Sequence, residues 1–436
     1  MKRPTCLLAA CALFLALPAR ALSEGCGLPA ALSSPAEAPP PRQGLQQLLS
    51  LAEARSRAVG AARLLAEAAQ SDLDETRAAR QPQASLNGLA GYSGQRSDLL
   101  GSQQSGLARA NLQVSAPLWD GGRQDRLEDW RTQLAEAARQ GQLSASEQLR
   151  LQVVNLAFER SRQRLRAQVW QQYTAKVCTL VQALEDIVTR DRGRSSELVQ
   201  ARKTLQQVQL SRQQALTSIA LTDTQLRRLV GEALPEVPPL AALLTELPPL
   251  EPLQSRAADT ADIAQLLAQQ RAAEQLAGAT AASQRPQLGW TVTAGRDLAG
   301  ERQGNWQAGL TLSMPLWNPG AASAERAARQ RAEAARLQRE EALDALGNRL
   351  TQVHTQAAAA FDRAHDVLRV LKDSEQVRDD TLLMWQQLGR RSLFDVISAE
   401  GDHFNLRLAY VDALHDGQQQ VALLWSLAGG VADALR

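Results

Sequence analysis

The sequence predicts a mainly α-helical fold with a smaller membrane-type β part, organised as duplicated β-β-α-α units. Three observations carry this expectation. A motif around residue 115 recurs 198 residues later. Two long proline-free stretches place their apolar residues at alternating spacings of three and four, the signature of packed helices. Ahead of each stretch lie short runs in which apolar and small polar residues alternate, the signature of strands.

The duplication sets the frame for everything else. Ser115-x-Pro117-Leu118-Trp119-Asp120-x-Gly122 returns as Ser313-x-Pro315-Leu316-Trp317-Asn318-x-Gly320. The same shift maps Glu197 onto Asp395, Ala201 onto Ala399, and Leu229-Val230-Gly231 onto Leu427-Ala428-Gly429. Arg285-Pro286-Gln287-Leu288 echoes Gln81-Pro82-Gln83-Ala84 at a slightly larger shift, which a different loop length explains. Residues 45–231 and 254–436 are therefore expected to be two copies of one unit, each with a helix, two membrane strands and a long helical hairpin.

The N-terminus reads as an address. Lys2 and Arg3, the apolar stretch Cys6 to Leu17 and Ala19-Arg20-Ala21 compose a signal peptide over residues 1–21. Leu8-Ala9-Ala10-Cys11 has the residue types of a lipoprotein cleavage site but lies too early in the chain, so lipidation is not expected. Cleavage leaves Cys26 and Cys178. In an oxidising envelope these could pair, but their spacing does not require it, and Cys178 reads as a small core residue of a helix. Residues 22–44 form a proline-rich mature N-terminal segment. Residues 232–253, holding Pro235, Pro238, Pro239, Pro248, Pro249 and Pro252, read as a semi-rigid linker.

Four strand-like runs follow from alternation. They are Ala84 to Tyr92, Ala110 to Ala116, Leu288 to Ala294 and Ala308 to Met314, joined in pairs by polar loops at Ser93–Gly106 and Gly295–Asn305. Trp119 and Trp317 stand where an aromatic belt would sit. The competing reading is a pair of soluble hairpins. Four strands in lipid would leave open edges with unpaired backbone groups, so spanning strands require partner subunits.

Each proline-free stretch breaks once, at Arg190 to Ser196 and at Leu388 to Ser392. Glycine supplies the stop and serine can cap the next start, so each copy is expected to hold a helical hairpin. A first arm of about 65 residues would reach roughly 100 Å. Along the second arms runs a seam: Leu198, Ala201, Leu205, Val208, Arg212, Ala215, Ile219, Thr222, Leu226 and Leu229, matched by Val396, Ala399, His403, Leu406, Tyr410, Ala413, Gly417, Gln420, Leu424 and Leu427.

Together these features resemble the TolC-like outer membrane efflux proteins. The resemblance is carried by the junctions Ser115 to Gly122 and Ser313 to Trp317, by the tip Gly389 to Ala399, and by Leu427-Ala428-Gly429. It implies a homotrimer in the cell outer membrane, with a 12-stranded barrel continued by a long periplasmic α-helical coiled-coil barrel. It also implies docking to a periplasmic adaptor and an inner-membrane transporter. Outer-membrane lipid is then the remaining partner. The strand–helix junction residues are Pro117, Trp119, Gly122, Pro315, Trp317 and Gly320. The periplasmic tip, gate or docking residues are Arg192, Gly193, Arg194, Glu197, Gly389, Arg390, Arg391 and Asp395. The chain departs from the family pattern at Ser398, where a second carboxylate is expected, and at Gln386, where an aromatic is expected. The tip Arg192 to Ala201 is more similar to members serving type I protein secretion than to drug-efflux members.

Other functions lack their chemistry. No phosphate-binding glycine loop, nucleophile elbow, H-E-x-x-H or C-x-x-C is present, so no enzyme, cofactor or metal is expected. His354, His365, His403 and His415 read as ordinary helix-face histidines. A formal charge of +2 without a basic tail implies no nucleic acid. The competing class is a periplasmic coiled-coil adaptor or structural protein, against which the second copy argues.

Overall fold

The computed structural model describes residues 40–97, 101–298, 304–388 and 391–435. The expected signal peptide over residues 1–21, Cys26, Gly389 and Arg390 lie outside the described residues. The order is α1 (Pro41–Arg55), α2 (Arg57–Ala78), β1 (Gln83–Ser97), β2 (Gly101–Trp119), α3 (Arg123–Arg190), α4 (Ser195–Val230), α5 (Leu250–Ala257), α6 (Ala261–Ala282), β3 (Gln287–Asp297), β4 (Gly304–Ser313), α7 (Ala321–Leu383), α8 (Leu393–Leu427) and α9 (Val431–Ala434). The chain is mostly helical with one small sheet, in the order the duplication predicts.

Element boundaries repeat in register. Helices α2 and α6 and the starts of β1 and β3 are related by a shift of 204, whereas the starts of α3 and α7 and of α4 and α8 are related by 198. The six-residue difference therefore lies in the β-hairpins, and the first hairpin is the longer one. Both second arms end alike. Gly231 closes α4 at φ 118° and Gly429 follows α8 at φ 119°, left-handed positions that favour glycine.

Contacts divide the chain into two units that cut across the repeats. The first comprises Met1–Leu51, Val153–Leu247 and Thr355–Val421; the second comprises Ala52–Gln152, Pro248–His354 and Ala422–Arg436.

The second unit holds the sheet, an antiparallel meander in the order β1-β2-β3-β4. Cross-strand register sorts the side chains. Leu86, Leu112, Ala294 and Trp306 share one rung, and Ala84, Val114, Val292 and Ala308 the next, all on one face. Ser85, Gln113, Thr293 and Gln307 share a rung of the opposite face. The apolar face is uncovered: Leu86, Leu310, Leu312 and Trp306 are each more than 70% exposed. Most of the described residues in the expected polar loops are strand instead. Ser93 pairs with Ser105 and Ser97 with Gly101, and Gly295 pairs with Asn305. Ladder bonds use backbone groups, so the polar residues that suggest loops can extend a ladder.

The first unit holds a mixed core of Tyr173, Val177, Leu180, Leu184, Leu198, Ala201, Val208, Trp385, Leu393, Val396, Phe404 and Leu408 among others. Tyr173 and Phe404 stack with centroids 4.6 Å apart. The expected seam is buried at Leu198, Ala201, Val208, Ala215, Thr222 and Leu226, and at Val396, His403, Ala413 and Leu424. Helix α8 buries a second row, Phe404, Leu408, Val411, His415 and Gln418, which the single seam did not anticipate.

The linker accounts for the end of that second row, where Val411 and His415 share a cavity with Ala241 and Ala242 and Gln418 bonds linker carbonyls; Phe404 and Leu408 pack in the core with Tyr173. Residues 231–249 are irregular, yet they are docked rather than a free spacer. Val237, Leu240 and Leu243 are buried. Proline density denies this segment a helix without denying it a core. Nor does it bar a helix start: α5 begins at Leu250 with Pro252 in its first turn, where the missing N–H costs nothing. Likewise α1 begins at Pro41, inside the proline-rich N-terminal stretch.

Cys178 is buried as expected but is disulfide-bonded, which its reading as a plain core residue did not anticipate. The chain's other cysteines lie outside the described residues.

Candidate functional site at the junctions and tips

The junction residues turn each sheet strand into a long helix. Pro117 lacks the N–H of a ladder donor, and β2 carries a register shift between Pro117 and Trp119. Beyond it, Asp120 folds the chain into an Asx turn. Its carboxylate accepts from Gly122 N at 3.1 Å and Gln124 N at 2.5 Å. Asn318 repeats the device in the second copy, accepting from Gly320 N at 3.2 Å. Gly121 and Gly122 sit at φ 67° and 83°. Arg285, from the echoed Arg-Pro-Gln motif, donates to Gly121 O at 2.8 Å. Trp119, Trp317 and Pro315 are exposed, with Trp317 at 87%.

At the first tip, α3 ends at Arg190, three residues before Gly193. Gly193 is therefore not a left-handed helix stop. Instead the Asp191 carboxylate accepts from Gly193 N at 3.0 Å and sets a short 3-10 turn over Arg192–Arg194. Ser195 makes no cap. Arg194 pairs with Glu197 at 3.1 Å, and Arg192 and Gly193 are exposed.

At the second tip, α7 passes into a π-helical turn over Met384–Leu388. Ser392 caps α8 as the sequence suggests. Its Oγ accepts from Asp395 N at 3.2 Å, while the Asp395 carboxylate accepts from Ser392 N at 3.1 Å and Oγ at 3.0 Å. Arg391 is exposed and makes no ion pair with Asp395 among the described residues. Phe394, 68% exposed, projects beside them. Ser398 is exposed and supplies no carboxylate; Glu400, two residues on, is 2% exposed, and burial holds its carboxyl above the usual range. The aromatic missing at residue 386 has a neighbour in Trp385, buried in the core with Leu393 and Val396.

Sequence reasoning missed a polar cluster on α8. Gln418 donates through Nε2 to the carbonyls of Leu240, Ala241 and Leu243 at 3.2, 2.8 and 2.7 Å. His415 and Gln418 have no exposed surface. The signal available was the width of the apolar pattern on α8, where Phe404, Leu408 and Val411 fall off the seam. His354 meets Pro248 O at 3.2 Å, and His365 is exposed. No cluster of three or more metal-ligating residues occurs among the described residues, and no described helix is long and apolar enough to cross a membrane.

No family model and no curated protein matches the chain. Its fold is that of the TolC-like outer-membrane channel proteins. It is similar to the transmembrane channel protein CusC at TM-score 0.79 and 19% identity, over 89% of this chain and 92% of that one. It is similar to the outer membrane protein VceC of Vibrio cholerae at TM-score 0.76 and 19% identity, over 89% and 97%. The open state of the Neisseria gonorrhoeae MtrE outer membrane channel matches at TM-score 0.74 and 19% identity, over 90% of each chain.

Proposed function

We propose that this chain is the outer-membrane channel-tunnel subunit of a tripartite export system, a member of the TolC-like family. The observation that carries this reading is the sheet. Its apolar face is bare, its opposite face is polar, and β1 and β4 are each hydrogen-bonded on one side within the chain. A bare apolar face fits lipid, and open edges fit closure by further copies. Three copies of four strands make a barrel of twelve, and the paired hairpins would then continue it through the periplasm. The signal peptide over 1–21 supplies the route to the envelope.

In this reading Arg192, Gly193, Arg194, Glu197, Gly389, Arg390, Arg391 and Asp395 face the periplasmic adaptor or the gate. Asp395 is committed to Ser392 within its own chain, so in an arginine–acid gate an arginine of a neighbouring copy would donate to the lone pairs that remain on its carboxylate. The tip Arg192 to Ala201 favours an exported polypeptide as cargo; small-molecule efflux through the same channel is the second reading. The sheet argument is tested by arginine placement. Leu112→Arg or Leu310→Arg is expected to abolish outer-membrane assembly, costing about 2–4 kcal/mol at mid-membrane, while Gln113→Arg on the polar face is spared. Equal tolerance of all three would remove the membrane assignment. A deletion strain assayed for secreted protein and for drug sensitivity separates the two cargoes.

A further inference from the structure

The segment joining the two copies is held by a hydrogen-bond relay through Ser161 and His415. Leu240 N donates to Ser161 Oγ at 2.9 Å. Ser161 Oγ lies 3.3 Å from His415 Nε2, and His415 Nδ1 lies 2.9 Å from Val411 O. The polarity of this chain is determined by its ends. A carbonyl only accepts, so Nδ1 carries the proton, and Nε2 of a neutral ring must accept from the Ser161 hydroxyl. The hydroxyl oxygen then remains free to accept from Leu240 N. Gln418, one turn along α8, accounts for three carbonyls of the same segment.

We propose that His415 and Ser161 form an acid-sensitive clasp, which holds the connecting segment 236–244 against α3 and α8 while the imidazole is neutral and releases it when the ring is protonated. Protonation turns Nε2 into a donor, so the Ser161 hydroxyl must turn its proton away from the ring, and it places a charge where the side chain has no exposed surface. Of the neighbouring carboxylates, Asp412 and Glu159 favour the charged ring, but burial outweighs them, and each is already paired with an arginine. On α3, Glu159 pairs with Arg162; on α8, Asp416 pairs with Arg162 at 2.8 Å and Asp412 with Arg166. The connecting segment contributes Glu236, which acts on Arg164, itself a donor to Val237 O. Arg160, beside Ser161 on α3, pairs with Asp223 of α4 at 2.6 Å. Arg407 lines the same cavity as His415, while α7 offers Leu368 and Leu371 and α1 offers Leu48. That cavity, of 490 Å³ and lined in part by Ala241, Ala242, Tyr410 and His415, lies beside the segment.

Burial holds His415 below the ordinary histidine value, in the direction the geometry requires. The sign follows. Above about 6.5 the ring is neutral whether the segment is docked or released, and docking is at full strength. As pH falls below that value the released state takes up a proton first, so docking weakens, by at most about tenfold per pH unit for one linked proton.

The test is hydrogen exchange on the mature full-length chain in detergent, reading the amide of Leu240 and its neighbours after correction for intrinsic rates. Protection is expected to be constant from pH 8 to 7 and to fall about tenfold by pH 5. In His415→Gln the fall should vanish, while in His403→Gln it should persist. A fall that survives in His415→Gln overturns the clasp, as does protection independent of pH in the unaltered chain. Should His415→Gln not fold, the imidazole resonances of the unaltered chain decide: titration of His415 above 6.5 in the docked state overturns the proposal, and titration below it supports it.

Discussion

Asp395 accepts two hydrogen bonds from Ser392, so a substitution there acts on the start of α8 before it acts on a gate. Ser392→Ala and Asp395→Ala are each expected to cost about 1 kcal/mol at the cap. Planar-bilayer conductance separates the roles. Asp395→Ala alone should raise conductance if the carboxylate also reaches a neighbouring gate residue, while equal effects of both variants would mean that the cap is the cause. Cys178 supports a second expectation. It is disulfide-bonded, and cleavage after Ala21 would leave Cys26 as its one possible partner within the mature chain. Cys26→Ser should expose one titratable thiol on unfolding, where the unaltered mature chain has none; a free thiol in the latter contradicts the pairing. A single residue was legible in the sequence where its type dictates local geometry, as at Ser392, while the turn made by Asp120 was not read from its motif. Gln418 and His415 were not, because their partners are backbone atoms of a distant segment that leaves no periodic trace.

The junction between β2 and α3 is the element on which the strand-to-helix transition depends. Gly121 is left-handed at φ 67°, and a Cβ there would stand 2.7 Å from Arg285 Cβ. Gly122 is also left-handed, but a Cβ on it meets open space. Gly121→Ala should therefore cost more than Gly122→Ala, whose penalty is the conformational one of about 1–2 kcal/mol. Thermal midpoints of the two variants check the order, and reversal would mean that Arg285 yields readily. The long helices were readable from their 3-4 spacing and proline-free length. Strand ends were not: the polar residues Ser93 to Ser97 and Ser102 to Ser105 look like loop, yet they continue the ladder. Linker docking also escaped the sequence, since proline content reports on backbone freedom and not on where Leu240 is buried.

At the scale of the molecule, duplication converts one hairpin-and-sheet design into a chain that presents four strands and two helical hairpins. The sequence makes this plan plain, because one offset relates motifs spread over both halves. The division into spatial units was not legible, since α3, α7 and α8 each run through both units and no composition change marks the crossing. A four-stranded sheet with a bare apolar face has two unmet demands: in the proposed reading lipid covers the face, and closure by further copies pairs the edges. The direct measurement is the mass and location of the assembly extracted from cells. A heat-dissociable trimer of the mature chain is expected in the outer-membrane fraction. A monomer recovered in the soluble periplasm would contradict it.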